Sequence, residues 1–140
     1  MSETRWKSPP PAGKTRLFLV RHGSTAANEA QPFVLQGSEL NGPLTELGRK
    51  QSAAVGRFLA DYDISAVYAS SLLRAQQTAA AIAEPHGLSV SAEVALRECS
   101  VGRWEGQSWD RIKQEDPEGH AHFFADPVNH PHPGGESYQH

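Results

Sequence analysis

Three short apolar runs, over residues 17–20, 64–69 and 88–94, alternate with two stretches of helical periodicity, and this alternation constrains the fold more than any other feature of the chain. Strands buried on both faces of a parallel sheet read as continuous apolar runs, and each parallel pair needs a crossover, usually a helix. The order strand, helix, strand, helix, strand therefore predicts an α/β domain with a mainly parallel sheet. The first helix is expected over residues 46–60, with Thr45 as N-cap and Leu47, Ala54, Val55, Phe58 and Leu59 at helical spacing. The second is expected to be capped by Ser70 and Ser71, to bury Leu72, Ala75, Ala79, Ile82 and Ala83, and to stop at Gly87.

The remainder of the chain is read as connections. Residues 1–15 carry charges and Pro9-Pro10-Pro11 without an apolar block, so they predict a disordered tail rather than a signal peptide, ahead of one domain over residues 16–140. Residues 29–43 are rich in turn formers and form a loop over the end of the first strand. Beyond Leu96 the pattern loosens into turns, a short helix near residues 109–114, and a His- and Pro-rich excursion over residues 116–133. A formal net charge of −3 gives no reason to expect a nucleic-acid or acidic-membrane partner. No stretch approaches transmembrane length, and the single cysteine, Cys99, excludes an internal disulfide, so a soluble, cytoplasmic protein is expected.

Chemistry accumulates where the apolar runs end. Arg21, His22 and Gly23 directly follow the first run, at the strand end where parallel sheets bind ligands. A histidine there either holds a loop carbonyl or acts as a nucleophile; the adjacent arginine disfavours a metal and favours an anion. Gly23 lets the backbone turn sharply. Phosphoryl transfer needs chiefly positioning and positive charge, so a nucleophilic His22 with Arg21 as clamp is chemically coherent.

Arg74 falls in the first turn of the second helix, where the dipole disfavours a cation, and this placement points to a phosphate at the free N–H groups. The alternative is an ion pair with Glu98. Both Glu98 and Glu105 qualify as the acid that protonates a leaving oxygen, and each could instead pair with Arg97 or Arg103. Trp104 and Trp109 read as packing residues. The pairs His120-x-His122 and His130-x-His132 match no tight zinc spacing, so no metal is expected. Gly134-Gly135-Glu136-Ser137 reads as a turn leading into a helix.

Five motifs in order carry a resemblance: Arg-His-Gly-x-Thr-x-x-Asn from Arg21, Leu44-Thr45-Glu46-Leu47-Gly48-Arg49-x-Gln51, Ser70-Ser71-Leu72-x-Arg74-Ala75-x-x-Thr78-Ala79, Leu96-Arg97-Glu98 through Trp104-Glu105-Gly106, and Gly134-Gly135-Glu136-Ser137. Together they resemble the histidine phosphatase superfamily, the phosphoglycerate mutase-like group. The resemblance implies a three-layer α/β sandwich and a small phosphorylated substrate, with no metal or organic cofactor. It implies His22 as the nucleophile that becomes a phosphohistidine, Arg21 and Arg74 on the phosphoryl oxygens with Thr25 and Asn28 helping, and Glu98 as proton donor and acceptor.

Family members continue past Gly-Gly-Glu-Ser to an apolar strand ending in a second His-Gly. Here the sequence stops three residues after Ser137, and His140 has neither a preceding apolar strand nor a following glycine. The expectation is a sandwich lacking its C-terminal part. A phosphatase is favoured over a phosphoglycerate mutase, because the segment after Asn28 lacks the mutase tryptophan and little room for an insertion lies between Arg74 and Glu98. A non-catalytic phospholigand-binding remnant is the third reading.

Overall fold

The computed structural model describes residues 9–139. His140 and most of the expected N-terminal tail lie outside the described residues; residues 9–15 form a largely exposed turn closed by Lys14 N–H donating to Pro11 O at 3.0 Å. Along the chain run α1 (Ala26–Glu29), α2 (Glu46–Leu59), β1 (Val67–Ser70), α3 (Leu73–Ala83), β2 (Val90–Glu93), α4 (Trp109–Glu115) and α5 (Pro117–Ala125). Strands β1 and β2 pair in parallel, from Val67 opposite Val90 to Ser70 opposite Glu93, with α3 as their crossover. This is the predicted parallel α/β unit.

The first apolar run corrects the prediction. Residues 17–20 join no ladder among the described residues, and Leu17 and Leu19 are 76% and 88% exposed. Apolar content makes a run compatible with a strand, but a strand exists only where a neighbour supplies backbone partners.

Helix α2 begins where expected: Thr45 Oγ1 accepts from Gly48 N–H at 3.0 Å. Its buried stripe is Gly48, Ser52, Gly56 and Leu59, whereas Leu47 and Phe58, expected on the inner face, are largely exposed. The reason is close backbone packing. A Cβ on Gly56 would overlap the Ala81 carbonyl of α3, so small residues face the neighbouring helix and bulky ones turn away.

Helix α3 is capped differently from the expectation. Ser70 Oγ accepts from Leu72 N–H, but the first helical N–H, that of Leu73, donates to Asn41 Oδ1 at 2.6 Å. A residue distant in sequence thus supplies the cap, tying the 29–43 loop to the helix end. A turn of 3-10 helix (Glu84–His86) follows, and Gly87 ends it at φ 63°.

The C-terminal part has its own core of Trp104, Ile112 and Phe123, each at most 2% exposed, with Leu35 and Trp109 packed against it. Within the segment expected to be a loop excursion, residues 117–125 are helical. Asp116 is the N-cap, accepting from Gly119 N–H at 3.0 Å, and Pro117 occupies the first turn. Asp116 Oδ2 also accepts from Trp104 Nε1 at 3.1 Å, fastening the helix start to the core. The expected turn lies slightly earlier, over residues 133–135, where Gly135 N–H donates to His132 O at 2.8 Å, and no helix follows it among the described residues. None of the described helices is long and apolar enough to cross a membrane.

Candidate active site

The loop after residues 17–20 places His22 in an open cavity of about 580 Å³, together with Arg21, Ser24 and Asn28. Helices hold this loop. Gly23 N–H donates to Thr78 Oγ1 of α3 at 3.0 Å, and Ser24 N–H donates to Gln51 Oε1 of α2 at 2.8 Å. The approach is close enough that a Cβ on Gly23 would overlap Gly48 O and one on Gly48 would overlap Ser24 O. Thr78 Oγ1 donates onward to Arg74 O at 2.8 Å, so loop and helix share one polar seam. Gln51 and Thr78 carry no expected role in the sequence reading; the signal available was a polar residue placed where each helix faces the loop.

The imidazole of His22 is half-buried, and Nδ1 lies 2.7 Å from Gly23 O. A carbonyl only accepts, so Nδ1 is the protonated nitrogen and the lone pair of the neutral ring sits on Nε2. Burial is the main cause that lowers the His22 pKa below its ordinary 6.5; the Gly23 bond and Glu98 oppose it, while Arg74 and Arg21 reinforce it. The ring is therefore predominantly neutral at neutral pH.

Thr25 and Asn28 form a reciprocal cap on α1. Thr25 N–H donates to Asn28 Oδ1 at 3.1 Å, and Asn28 N–H reaches Thr25 Oγ1 at 3.4 Å. Asn28 borders the His22 cavity, but Thr25 is 1% exposed and lies beneath the loop within 2.7 Å of Gln36 Oε1, so it shapes the cavity instead of lining it.

Arg74 is 2% exposed. Its Nη1 donates to Leu40 O at 3.2 Å and its Nη2 to Gly37 O at 3.1 Å, while the other N–H groups take no part in these bonds. No ion pair joins it to Glu98, although the charge of that carboxylate acts on both Arg74 and His22. Glu98 itself is exposed, accepts from Cys99 N–H at 3.0 Å, and borders a second cavity of about 540 Å³ with Arg97, Ser137 and Tyr138. Arg97 donates to Ser38 O at 3.1 Å rather than pairing with Glu98. Burial pushes the Cys99 thiol up to about 11, so it is not an activated nucleophile. The histidine pairs do not assemble with other ligands: among the described residues no three His, Cys, Asp or Glu side chains group as a metal site.

A profile of the histidine phosphatase superfamily (branch 1) matches residues 17–140. The chain belongs to the histidine phosphatase superfamily. Among its relatives, fructose-2,6-bisphosphatase TIGAR of Xenopus tropicalis is 41% identical over 101 residues, which is 69% of this chain and 36% of that protein. Glucosyl-3-phosphoglycerate phosphatase of Mycobacterium tuberculosis is 35% identical over 122 residues, 87% of this chain and 53% of that one. The solved structure of alpha-ribazole phosphatase from Shigella flexneri superposes with a TM-score of 0.77 at 31% identity, covering 86% of this chain and 58% of that chain. The chain thus spans 36% of the first of these relatives and 53% to 58% of the other two. Within the histidine phosphatase superfamily these three share a phosphatase name and differ in the phosphorylated compound that the name gives.

Proposed function

We propose that this protein hydrolyses a phosphomonoester of a small metabolite through a phosphohistidine at His22. The His22 ring is the observation that carries the reading: Nδ1 is tied to Gly23 O, which leaves the Nε2 lone pair for attack, and the charges of Arg21 and Arg74 act on the same ring. Nε2 forms a bond to phosphorus as the ester P–O bond breaks. The guanidinium groups of Arg21 and Arg74 offset the charge on the phosphoryl oxygens, and Asn28, which borders the same cavity as His22, adds a hydrogen bond. Glu98, as the carboxylic acid, passes its proton to the leaving oxygen. The resulting carboxylate then takes a proton from water as that water attacks phosphorus and the P–Nε2 bond breaks, its electron pair returning to Nε2, which releases phosphate and restores the neutral ring.

The test is phosphate release from p-nitrophenyl phosphate and small phosphorylated metabolites, followed against pH. Because the neutral ring is the nucleophile and burial lowers its pKa, the acid limb of kcat/KM is expected below pH 6.5. A limb above neutrality would contradict the assignment. Tight binding of inorganic phosphate without any turnover would instead make the protein a phospholigand-binding module.

A further inference from the structure

The backbone of residues 37–40 is held by charged side chains from three other parts of the chain. Glu105 Oε1 accepts from Gly37 N–H at 2.7 Å and from Leu40 N–H at 3.2 Å. The carbonyls of the same two residues accept from Arg74, and the Ser38 carbonyl accepts from Arg97. One carboxylate therefore fixes the two peptide N–H groups, and Arg74 takes the two carbonyls.

The grip is tight. A Cβ on Gly37 would sit 2.7 Å from Cys99 O and 2.8 Å from Glu105 Oε2, so the loop passes directly against the carboxylate. Glu105 Oε2 is buried without a hydrogen-bond partner, and no ion pair forms with Arg103, which bonds Asp116 instead. A buried carboxylate oxygen without a partner is costly, and nearby positive charge offsets that cost. Arg74 is the buried cation whose carbonyl anchors Glu105 holds.

We propose that Glu105 is a positioning residue for the phosphate site, acting on Arg74 through the backbone of residues 37–40. The inference rests on Arg74 being a phosphate ligand. Without the carboxylate, Gly37 and Leu40 lose their N–H acceptor, the carbonyls that aim the guanidinium lose their fixed position, and the bidentate geometry of Arg74 toward an oxyanion degrades. Glu105 touches no substrate in this scheme, and it is not the acid.

The experiment measures the Kd of inorganic phosphate by calorimetry, at a temperature where circular dichroism shows every variant folded. Glu105→Ala is expected to weaken phosphate binding by roughly tenfold, the size of one lost charge-assisted hydrogen bond. Glu105→Gln, which keeps an oxygen acceptor for both N–H groups, is expected to recover most of the affinity. A purely structural role lowers the folded fraction and leaves the Kd of the folded molecules unchanged, and that result would overturn the inference.

A second readout needs no variant. Coupling is reciprocal, so saturating phosphate is expected to slow amide exchange at Gly37 and Leu40 in the wild-type protein. Phosphate that binds without changing that exchange would count against the coupling alone. Absence of phosphate binding in the wild type would remove the phosphate site and the inference together.

Discussion

Replacing His22 with alanine is expected to reduce phosphate release by on the order of a thousandfold or more, about 4 kcal/mol in the barrier, while inorganic phosphate still binds. The two effects separate because they belong to different groups. The alanine removes the only protein atom in the scheme that forms a bond to phosphorus, whereas Arg21 and Arg74 remain to attract the oxyanion. Folding should suffer little, since the ring is half-buried and its hydrogen bond is to Gly23 O of its own loop. His22→Asn refines the test. Its amide nitrogen can stand in for Nδ1 toward Gly23 O, which restores the loop contact without supplying a nucleophile. Stability near wild type with turnover still lost would assign the effect to chemistry. Substantial turnover in either variant would sink the nucleophile assignment.

Gly48→Ala is expected to damage fold and site together. The added Cβ would overlap the Ser24 carbonyl, and backbone lies on both sides of the contact, so no flexible side chain can give way. Overpacking of this kind costs about 1–3 kcal/mol, and a displacement of about 1 Å at a reacting group can cost on the order of a hundredfold in rate. Helix α2 would have to move away from the His22 loop, breaking the bond from Ser24 N–H to Gln51 Oε1. Thermal unfolding and kcat measured on the same sample should therefore fall together. Gly42→Ala is the control, because a Cβ there meets nothing within 4 Å. If Gly48→Ala left both quantities unchanged, the close approach of α2 to the loop would be wrong.

Local signals in the sequence are enough for α2, α3, α4 and the parallel pair. The Thr45 cap, the Gly87 stop and the β1–α3–β2 order all follow from short-range chemistry, and the structure has them. Long-range facts were less legible. Residues 17–20 have the composition of a strand, but pairing depends on a neighbour that composition does not reveal. The inner face of α2 departs from the apolar periodicity because backbone proximity selects Gly48, Ser52 and Gly56 over the larger apolar side chains. Helix α5 is hard to read from sequence even though Asp116-Pro117 is an N-cap and first-turn pair, because its His- and Gly-containing sequence has weak helical periodicity.

The site divides in the same way. Proximity in sequence placed Arg21 and His22 together, and the α1 cap explains Thr25 and Asn28. What sequence could not show is that Arg74 holds the carbonyls of Gly37 and Leu40, or that Glu105 grips the matching N–H groups. These contacts span more than thirty residues of chain, and no local pattern encodes them.

The most direct measurement is to mix the protein with a radiolabelled phosphomonoester, quench in alkali within one turnover, and map the label by peptide. Phosphohistidine survives base, so the account predicts label on the peptide that contains His22, absent from His22→Ala and lost on the timescale of turnover in water. Phosphate release without any labelled protein, or label on a different residue, would contradict it.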